Sequence, residues 1–471
     1  MAGRSPLKVA LLGAGGFVKD AYLSPLAANS GTLLLTAAWS RSERSVTELV
    51  QAVHRFSPSC KAYHGDEGLQ ELLRSADVDA CLVVLPPQVQ RAVVQAALRA
   101  GKHVLSEKPV APTLAQAEQL LAFHRSLPQP APIWAVAENY RCMEGLLRLR
   151  DTIAAGTLGA VARLDMATDL ALHPGAKYFD SQWRRDSETL PGAYLTEGGV
   201  HFVAALRMMA GAAGWGQATA AVACARGISD NLPHPDVLQG LVWFESGAAA
   251  SYSMTTAAGS MHVALRAVGT RGEASAERGG GTAKGRAFRL VQLLGGQATP
   301  TQMESSSTGV EEELLCFARL ARAAGTGPGG VSLTLTAREA GAAAATDGSD
   351  PERDAARAGT AGSGGGDAAE VAAEPAAAQP ADKAQHGGEA AAAQGSTAAQ
   401  VEGAGGEGGR RRRPGSPSVT ERAGQARLQE MPSEEDAWRI SSLEAARDLA
   451  LVAALLESAT KGGEKTAVAQ L

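Results

Sequence analysis

The chain has 471 residues, of which 45% are hydrophobic and 20% charged, with a formal net charge of -5 at pH 7. This length predicts more than one domain, and the slightly acidic balance gives no reason to expect nucleic acid as a partner. The five scattered cysteines, without a C-x-x-C pair, predict reduced thiols rather than a zinc site or a disulfide framework. No apolar run reaches the ~20 residues of a membrane span, and no targeting segment is evident, so we expect a cytoplasmic protein without a membrane partner.

Short apolar runs alternate with amphipathic helical patterns from residue 7 to about 130. Strands are predicted at 7–12, 33–39, 80–85 and 103–105, and apolar residues at helical spacing between 89 and 97 predict a helix that Gly101 ends. Such alternation predicts a doubly wound parallel sheet, so we assign residues 1–130 to an N-terminal Rossmann domain.

The pattern changes at about residue 131. A helical segment at 146–153 precedes strand-like stretches at 161–167, 218–224, 238–244, 249–254 and 261–268, and a helix is expected over 311–323. Strands that follow one another without helices indicate a largely antiparallel sheet. We therefore predict a C-terminal α+β domain over residues 131–324, for substrate binding and oligomerisation.

Residues 325–437 are dominated by Ala, Gly, Glu, Gln and Ser, and a segment of this composition is predicted to be a disordered insertion. The basic run Arg410–Arg413 within it fits a nuclear-import or nucleic-acid patch, but a solvated charge run is favoured. Order is expected to return in a terminal segment, 438–471. Its capping pattern from Ser441 to Glu444 predicts a helix that docks on the folded body.

A glycine-rich turn follows the first strand. In this turn Gly13 suits the tight bend, while Gly15 and Gly16, followed by Phe17, allow the backbone to approach a pyrophosphate. The third position of the dinucleotide fingerprint is Val18, where Gly or Ala is usual. The turn opens a βαβ unit, which is the context that the motif requires.

The end of the second strand indicates which cofactor is preferred. This strand ends at Ser40, which Arg41 and then Arg44 follow, with no carboxylate at the tip to bind the ribose 2′-hydroxyl of NAD. Arginine grips a phosphate through charge-assisted hydrogen bonds, so NADP(H) is favoured over NAD(H). The alternative is an ordinary solvated loop. We also place Pro86, after the strand at 80–85, at the cofactor.

Lys108 lies between Glu107 and Pro109 at the end of a strand. Ligands of open α/β sheets bind at the carboxyl ends of strands, so we expect Lys108 and Glu107 to lie beside the cofactor, with Lys108 polarising a substrate oxygen. The alternative is a surface salt bridge between Lys108 and Glu107.

A second candidate for chemistry is the pair Glu197 and His201. In a helix, a spacing of four residues places both side chains on one face. A carboxylate beside an imidazole orients it and raises its basicity, which suits a proton shuttle near neutral pH. The adjoining Gly198 and Gly199 favour a function over a buried core histidine, because glycine permits close approach.

Two further segments are expected to line a substrate pocket. Tyr140 and Arg141 follow a strand, and Trp183 and Arg184 lie in a loop. Their aromatic and cationic groups suit a polyhydroxylated or anionic ligand, and the alternative is a tyrosine at a domain interface and a packed tryptophan.

Together these motifs resemble the glucose-fructose oxidoreductase / inositol dehydrogenase (Gfo/Idh/MocA) family. The likeness runs through GAGGF at 13–17, AGKHVLSEKPVAPT at 100–113, ENYR at 138–141, LTEGGVH at 195–201, VGTRGEASAER at 268–278 and the last helix. It implies NAD(P)-dependent oxidation or reduction of sugars, cyclitols or related carbonyls. The family's lysine falls on Lys108 and its histidine on His201, and the open C-terminal sheet implies a homo-oligomer.

Several positions depart from the family's pattern. The usual aspartate before the histidine is Glu197, Ala204 and Ala205 stand where an aspartate often follows it, and Gln90 replaces a histidine that many members carry. We therefore predict an NADP-dependent oxidoreductase whose substrate is a sugar-like, cyclitol or small carbonyl compound. The alternative is a non-enzymatic, NADP-sensing regulatory protein on the same fold, against which Lys108 and His201 argue.

Overall fold

The computed structural model describes residues 5–279, 288–294, 297–301, 308–325 and 433–471, and these all belong to one unit. Apart from its two ends, the predicted insertion 325–437, with Arg410–Arg413, lies outside the described residues. In the described part of the chain, no helix combines the length and the apolar character needed to cross a bilayer. All five cysteines are free thiols.

Residues 7–137 form a six-stranded parallel sheet. Its strands are β1 (Leu7–Leu12), β2 (Leu33–Ser40), β3 (Lys61–His64), β4 (Ala80–Val83), β5 (His103–Glu107) and β6 (Trp134–Ala137), in the order β3-β2-β1-β4-β5-β6. β1, β4 and β5 are buried along nearly their whole length, as parallel strands covered on both faces require. β6 belongs to this sheet although it lies beyond the predicted boundary at residue 130.

Helices connect these strands on both faces of the sheet. They are a π-helical turn (Val18–Tyr22), α1 (Leu23–Ala28), α2 (Glu43–Val53), α3 (Gly65–Arg74), α4 (Pro87–Arg99) and α5 (Leu114–Arg125), and a 3-10 turn (Asn139–Cys142) follows β6. Ser42 caps α2 and Thr113 caps α5, each accepting a backbone N–H of the first turn. The predicted doubly wound parallel sheet is thus confirmed.

The second sheet is mixed and mostly antiparallel. Its strands are β7 (Val161–Ala171), β8 (Ala218–Arg226), β9 (Val237–Phe244), β10 (Ala249–Thr255), β11 (Ala257–Gly269), β12 (Gly272–Gly279), β13 (Arg289–Leu294), β14 (Gln297–Thr301) and β15 (Thr466–Ala467), in the order β14-β13-β12-β11-β7-β10-β9-β8-β15. Among the described strands of this sheet, only β7 and β10 run parallel. Burial alternates along β10, so one face is covered and the other is open, as predicted.

The remaining helices are α6 (Glu144–Ala154), α7 (Gln182–Arg185), α8 (Tyr194–Glu197), α9 (Gly199–Ala212), α10 (Val310–Ala324), α11 (Glu434–Arg439) and α12 (Ser442–Thr460). α9 and α12 pack against each other and α12 lies on β8, so both cover the second sheet. Ser441 caps α12 as predicted, accepting the N–H of Glu444. The docking expected for the last helix is what the structure describes.

α10 follows the second sheet in sequence but returns to the parallel sheet. Its fully buried Phe317 belongs to the same apolar cluster as Val9 and Leu11 of β1. From its sequence this helix is predicted in the second domain, because chain order alone does not show which sheet an amphipathic helix covers. α11 lies partly inside the predicted insertion and begins at a capping box of Ser433 and Asp436.

A buried ion-pair network ties the 3-10 turn to α9 and α12. The guanidinium of Arg141, with a side chain 1% exposed, donates to Asp448 on α12. Arg207 on α9 donates to the other oxygen of Asp448 and to Glu444. Because removal of one partner leaves an uncompensated buried charge, this network should hold the three elements together.

We expect Arg141→Ala to lower the free energy of unfolding by about 3–5 kcal/mol, because Asp448 would stay buried with one partner fewer. The matched control is Arg148→Ala, which removes an exposed i,i+4 pair with Glu144 and should change stability by less than about 0.5 kcal/mol. Urea denaturation of both variants measures the difference. Equal, small effects would contradict a structural role for the network.

Candidate active site

The candidate side chains converge on the carboxyl edge of the parallel sheet. Glu107 ends β5, Lys108 follows it, and Glu138 follows β6. The second domain adds Glu197 from the end of α8 and His201 from the first turn of α9. The structure thus brings together the three residues that were predicted to carry the chemistry, at the edge where open sheets bind ligands.

Lys108 is held by Glu197. Its Nζ donates to Glu197 Oε1 at 2.8 Å and to the Glu197 carbonyl oxygen at 3.0 Å, and the two side chains are only 11% and 15% exposed. Arg184 approaches the same Oε1 at 3.4 Å. Burial raises the pKa of Glu197, but Lys108 and then Arg184 outweigh it and lower the pKa to about 2. Glu197 is therefore ionised at neutral pH.

His201 is held by Glu138, not by Glu197. His201 Nδ1 lies 2.7 Å from Glu138 Oε1, and the Glu138 carboxyl also accepts the N–H of Tyr140. Burial raises the pKa of Glu138, but His201 and then the nearby cations bring the pKa below its ordinary value. An ionised Glu138 favours the tautomer with the proton on Nδ1, which leaves Nε2 as the acceptor.

The imidazole of His201 is neutral at physiological pH. Burial lowers the pKa of His201 below its ordinary value, although the charge of Glu138 opposes this effect. The His201 side chain is still 17% exposed, so solvent and ligands reach it. A neutral, partly accessible imidazole with an oriented ring has the properties of a general base.

The role predicted for Glu197 thus belongs to Glu138. The helix is interrupted between α8 and α9 at Gly198, so Glu197 faces Lys108 instead of holding the imidazole. Gly198 and Gly199 serve packing: a Cβ would lie 3.2 Å from Met254 Cε at the first position and 3.2 Å from the Tyr252 hydroxyl at the second. The close approach inferred from these glycines is to β10.

Tyr140 and Arg141 are buried in the structure and do not line an open pocket. Tyr140 is 3% exposed, stacks on the His201 ring at a centroid distance of 4.7 Å and accepts a hydrogen bond from Arg278. Arg141 is buried against Asp448. The residue types suited a pocket, but both side chains point into the protein, where Tyr140 supports the imidazole.

Trp183 and Arg184, in contrast, lie beside the site. The Arg184 guanidinium lies over the rings of Trp183 and Tyr178, with its central carbon 4.1 Å and 4.5 Å from the two ring centroids. Its edge reaches Glu197, and its side chain is 13% exposed. Arg184 is therefore oriented before any ligand arrives.

Two groups that were not assigned from the sequence, Tyr22 and Gln90, support the Lys108 segment. Tyr22 donates to Glu107 Oε1 at 2.6 Å, and the amide of Gln90 donates to the carbonyl oxygens of Glu107 and Pro109 at 2.7 and 3.2 Å. Gln90, which departs from the family pattern, thus holds the backbone on both sides of Lys108. Of the unassigned groups at the site, Glu138 alone could have been inferred, because it follows a strand end.

The glycine turn fits a dinucleotide. Gly13 has φ +121° and a Cβ there would lie 2.2 Å from the Val84 carbonyl oxygen, so no larger residue fits. A Cβ at Gly15 or Gly16 would meet nothing within 4 Å, which leaves open space over the turn where a pyrophosphate approaches. Phe17, which follows the turn, packs edge-to-face with Tyr22, with the two ring centroids 6.0 Å apart.

The other predicted cofactor residues line the same edge. Ser40 ends β2, Arg41 follows it, and Arg44 lies in the first turn of α2, both arginines being exposed. Pro86 precedes α4 at the end of the neighbouring β4. These positions surround the crevice between β1 and β4, where the strand order reverses.

One group of potential metal ligands lies away from this edge. In the described part of the chain, ligand atoms of Glu312, Cys316 and Asp436 lie within 4.8 Å of one another. The Arg319 guanidinium donates to all three side chains. The positive charge of Arg319 therefore takes the place that a metal ion would occupy, and the cluster is an ion-pair network between α10 and α11.

Comparison with known proteins places the chain among oxidoreductases. A family model described as an oxidoreductase family with an NAD-binding Rossmann fold, Gfo/Idh/MocA, matches residues 7–129. A model of the C-terminal domain of the same family matches residues 146–275. Both match regions that the structure assigns to the two sheets.

Individual relatives agree with this result. Dehydrogenase FPY6 of Fusarium mangiferae is 36% identical over 212 residues, which cover 44% of this chain and 58% of the relative. The dTDP-3,4-didehydro-2,6-dideoxy-alpha-D-glucose 3-reductase of Streptomyces violaceoruber is 34% identical over 139 residues, 29% of this chain and 37% of the reductase. The chain spans about half the length of the curated relatives it matches.

Solved structures show the same fold. The 3-ketoreductase KijD10 of Actinomadura kijaniata, in complex with NADP and TDP-benzene, superposes with a TM-score of 0.56 at 18% identity, covering 72% of this chain and 94% of the reductase. Since the two family models together cover more than half of the sequence, the resemblance is confirmed, and the chain belongs to the Gfo/Idh/MocA family of oxidoreductases.

Proposed function

We propose that the protein is an NADP-dependent oxidoreductase that acts on a sugar-like, cyclitol or small carbonyl substrate. The observation that carries this proposal is the convergence of Lys108 and His201, each held by its own buried carboxylate, at the edge that carries the glycine turn. Carbinol oxidation and carbonyl reduction both require one group that polarises the substrate oxygen and one that accepts or donates its proton. The proposed setting is the cytoplasm, which the free thiols support.

The cofactor would lie across the glycine turn, with Gly13, Gly15 and Gly16 below its pyrophosphate and Pro86 and Glu107 nearer its nicotinamide. When bound, it supplies a hydride acceptor or donor at the nicotinamide ring. Phe17 would close the turn against Tyr22. Lys108, from the parallel sheet, and His201, from the second domain, would both face the reacting carbon.

Lys108 polarises the substrate oxygen in this proposal. Two of its three N–H groups are taken by Glu197, which leaves the third for a ligand. Glu197, ionised by its two cationic neighbours, keeps the ammonium in place. A fixed positive charge at this point stabilises negative charge that develops on the oxygen.

His201 moves the proton. During oxidation, Nε2 accepts a proton from the substrate hydroxyl while the Nδ1–H group stays hydrogen-bonded to Glu138. During reduction, Nε2 returns the proton. Tyr140 keeps the ring plane fixed by stacking. Trp183 and Arg184 would bind the rest of the substrate, whereas Arg141 is assigned to the buried network.

The preference for NADP rests on the end of β2. Ser40 offers a small polar side chain, and Arg41 and Arg44 bring two exposed guanidinium groups to the place of a ribose 2′-phosphate. We also propose a homo-oligomer through the open face of the second sheet, where Leu241 is 42% exposed.

We expect Lys108→Met and His201→Ala each to lower kcat by about 10²–10⁴-fold, with NADPH affinity nearly unchanged. The assay screens NADPH and NADH against aldehydes, ketoses and cyclitols and follows nicotinamide absorbance. Lys61→Met and His54→Ala, two exposed positions, are the matched controls. A variant at Lys108 or His201 with full activity removes that residue from the mechanism, and turnover of no compound despite NADPH binding favours a regulatory protein.

Arg41→Ala should weaken NADPH binding by about 10–100-fold and leave NADH binding within about twofold, since only NADPH offers a 2′-phosphate to the guanidinium. Fluorescence titration with both nucleotides measures the ratio. Arg125→Ala, at the exposed C-terminal end of α5, is the control. Equal losses for both nucleotides would contradict the assignment of Arg41.

Glu107 predicts a pH dependence of stability. Burial raises its pKa from 4.5 to about 7, although Tyr22 and Lys108 oppose the rise. Between pH 4.5 and 7 the unfolded chain has lost this proton while the folded protein retains it, so the contribution of Glu107 to stability falls by on the order of 3 kcal/mol as the pH rises. The free energy of unfolding of Glu107→Gln, measured by urea denaturation at pH 4.5 and 7.5, should not show this fall. Identical pH profiles of the variant and the wild type would refute the prediction.

A further inference from the structure

The segment between β7 and α8 reaches from the second domain onto the Rossmann domain. We call residues 173–189 the strap. At one end of its span, Gln88 in the first turn of α4 donates to the Trp183 carbonyl oxygen at 3.2 Å and to Thr189 Oγ1 at 3.3 Å. At the other end, Tyr178 donates to Asp20 Oδ2 at 3.4 Å, and Lys177 pairs with the same carboxylate. The strap therefore touches the Rossmann domain at two separate places.

These two places lie on opposite sides of the proposed cofactor crevice. Asp20 belongs to the π-helical turn that follows the glycine turn after β1. Gln88 follows β4, the strand next to β1 in the sheet. A dinucleotide in a doubly wound sheet lies in the crevice between these two strands. The strap thus crosses above the position of the bound nucleotide.

Tyr178 links this crossing to the chemical site. Its ring holds one face of the Arg184 guanidinium, and Arg184 reaches Glu197, which holds Lys108. Its carbonyl oxygen accepts the hydroxyl of Tyr194 at 2.6 Å. A continuous chain of contacts therefore runs from Asp20, beside the glycine turn, to Lys108.

The backbone of Tyr178 is strained. Its φ is +70°, a left-handed conformation that bulky side chains rarely adopt. Strained conformations persist where surrounding contacts fix them, and they concentrate at clamps and active sites. Here the fixing contacts are the bonds to Asp20 and Tyr194 and the stack on Arg184.

We propose that Tyr178 is a positioning residue that couples retention of the nucleotide to the alignment of Arg184 with Glu197. Its hydroxyl fastens the strap to Asp20 on the cofactor side, and its ring sets Arg184 on the substrate side. The residue that fastens the strap across the nucleotide position therefore also maintains the electrostatic setting of Lys108. The inference rests on the proposed function, since it requires a nucleotide in the crevice.

The ion pair of Lys177 with Asp20 is a weaker fastening. Its two side chains are 51% and 37% exposed, and exposed pairs contribute little because water screens them. Tyr178 is half-buried, and burial raises the pKa of its phenol, so the hydroxyl remains a donor throughout the physiological range. This difference makes Tyr178 the better position for a test.

Two substitutions separate the two contacts of Tyr178. Tyr178→Phe removes the bond to Asp20 but keeps the stack on Arg184, and Tyr178→Leu removes both. We expect both variants to release NADPH about three- to tenfold faster in stopped-flow fluorescence, the effect of one lost hydrogen bond. Only Tyr178→Leu should also raise the KM for the carbonyl substrate several-fold, with a smaller change in kcat. Asp77→Ala, which breaks an exposed contact with Lys8 and Lys61, is the control.

Hydrogen–deuterium exchange supplies a readout that needs no substrate. NADPH should slow backbone exchange in residues 173–189 of the wild type and do so less in Tyr178→Phe. Normal NADPH binding with unchanged release and exchange in Tyr178→Phe would overturn the coupling alone. Failure of the wild type to bind NADPH would overturn the proposed function, and the coupling with it.

Discussion

The burial of charge between the two domains is the constraint on which the site depends. Lys108 comes from the parallel sheet and Glu197 from the second domain, and each is buried in a position where it needs the other. A buried charge without a partner is strongly destabilising, so the domains are held in the arrangement that pairs these two groups. The same logic applies to His201 and Glu138. Stability and chemical competence therefore rest on the same contacts.

The sequence predicted elements well where local patterning decides them. The first strand was predicted at residues 7–12 and the structure places it at Leu7–Leu12, and the C-terminal helix begins at its predicted cap. Strand β3 was missed because it is short and largely exposed, and α10 was placed in the second domain although it packs on the parallel sheet. Long-range packing decides such cases, and one sequence contains no direct record of it.

The site was predictable in its residues but not in its pairings. Lys108 and His201 stand in local patterns that indicate chemistry, and the structure brings them to one edge. Their partners come from distant parts of the chain: Glu138 lies 63 residues before His201, and Glu197 lies 89 residues after Lys108. Helical spacing suggested a neighbour for His201, yet an interruption of the helix gave that role to a residue at a strand end. Tyr140 and Arg141 had suitable chemistry but faced inward.

The described residues at both ends of the long low-complexity tract are held by contacts beside α10. The carbonyl oxygen of Gly325, just past α10, lies 2.8 Å from His103 Nε2, and Asp436 of α11 pairs with Arg319 of α10. The free-energy cost of closing a loop grows only with the logarithm of its length. These contacts fix where the described chain leaves α10 and where it resumes at α11, independently of the number of residues between the two points. The pairing of α10 with α11 therefore closes the fold at the point where the low-complexity tract departs, so that the two sheets are held together by contacts of the described residues.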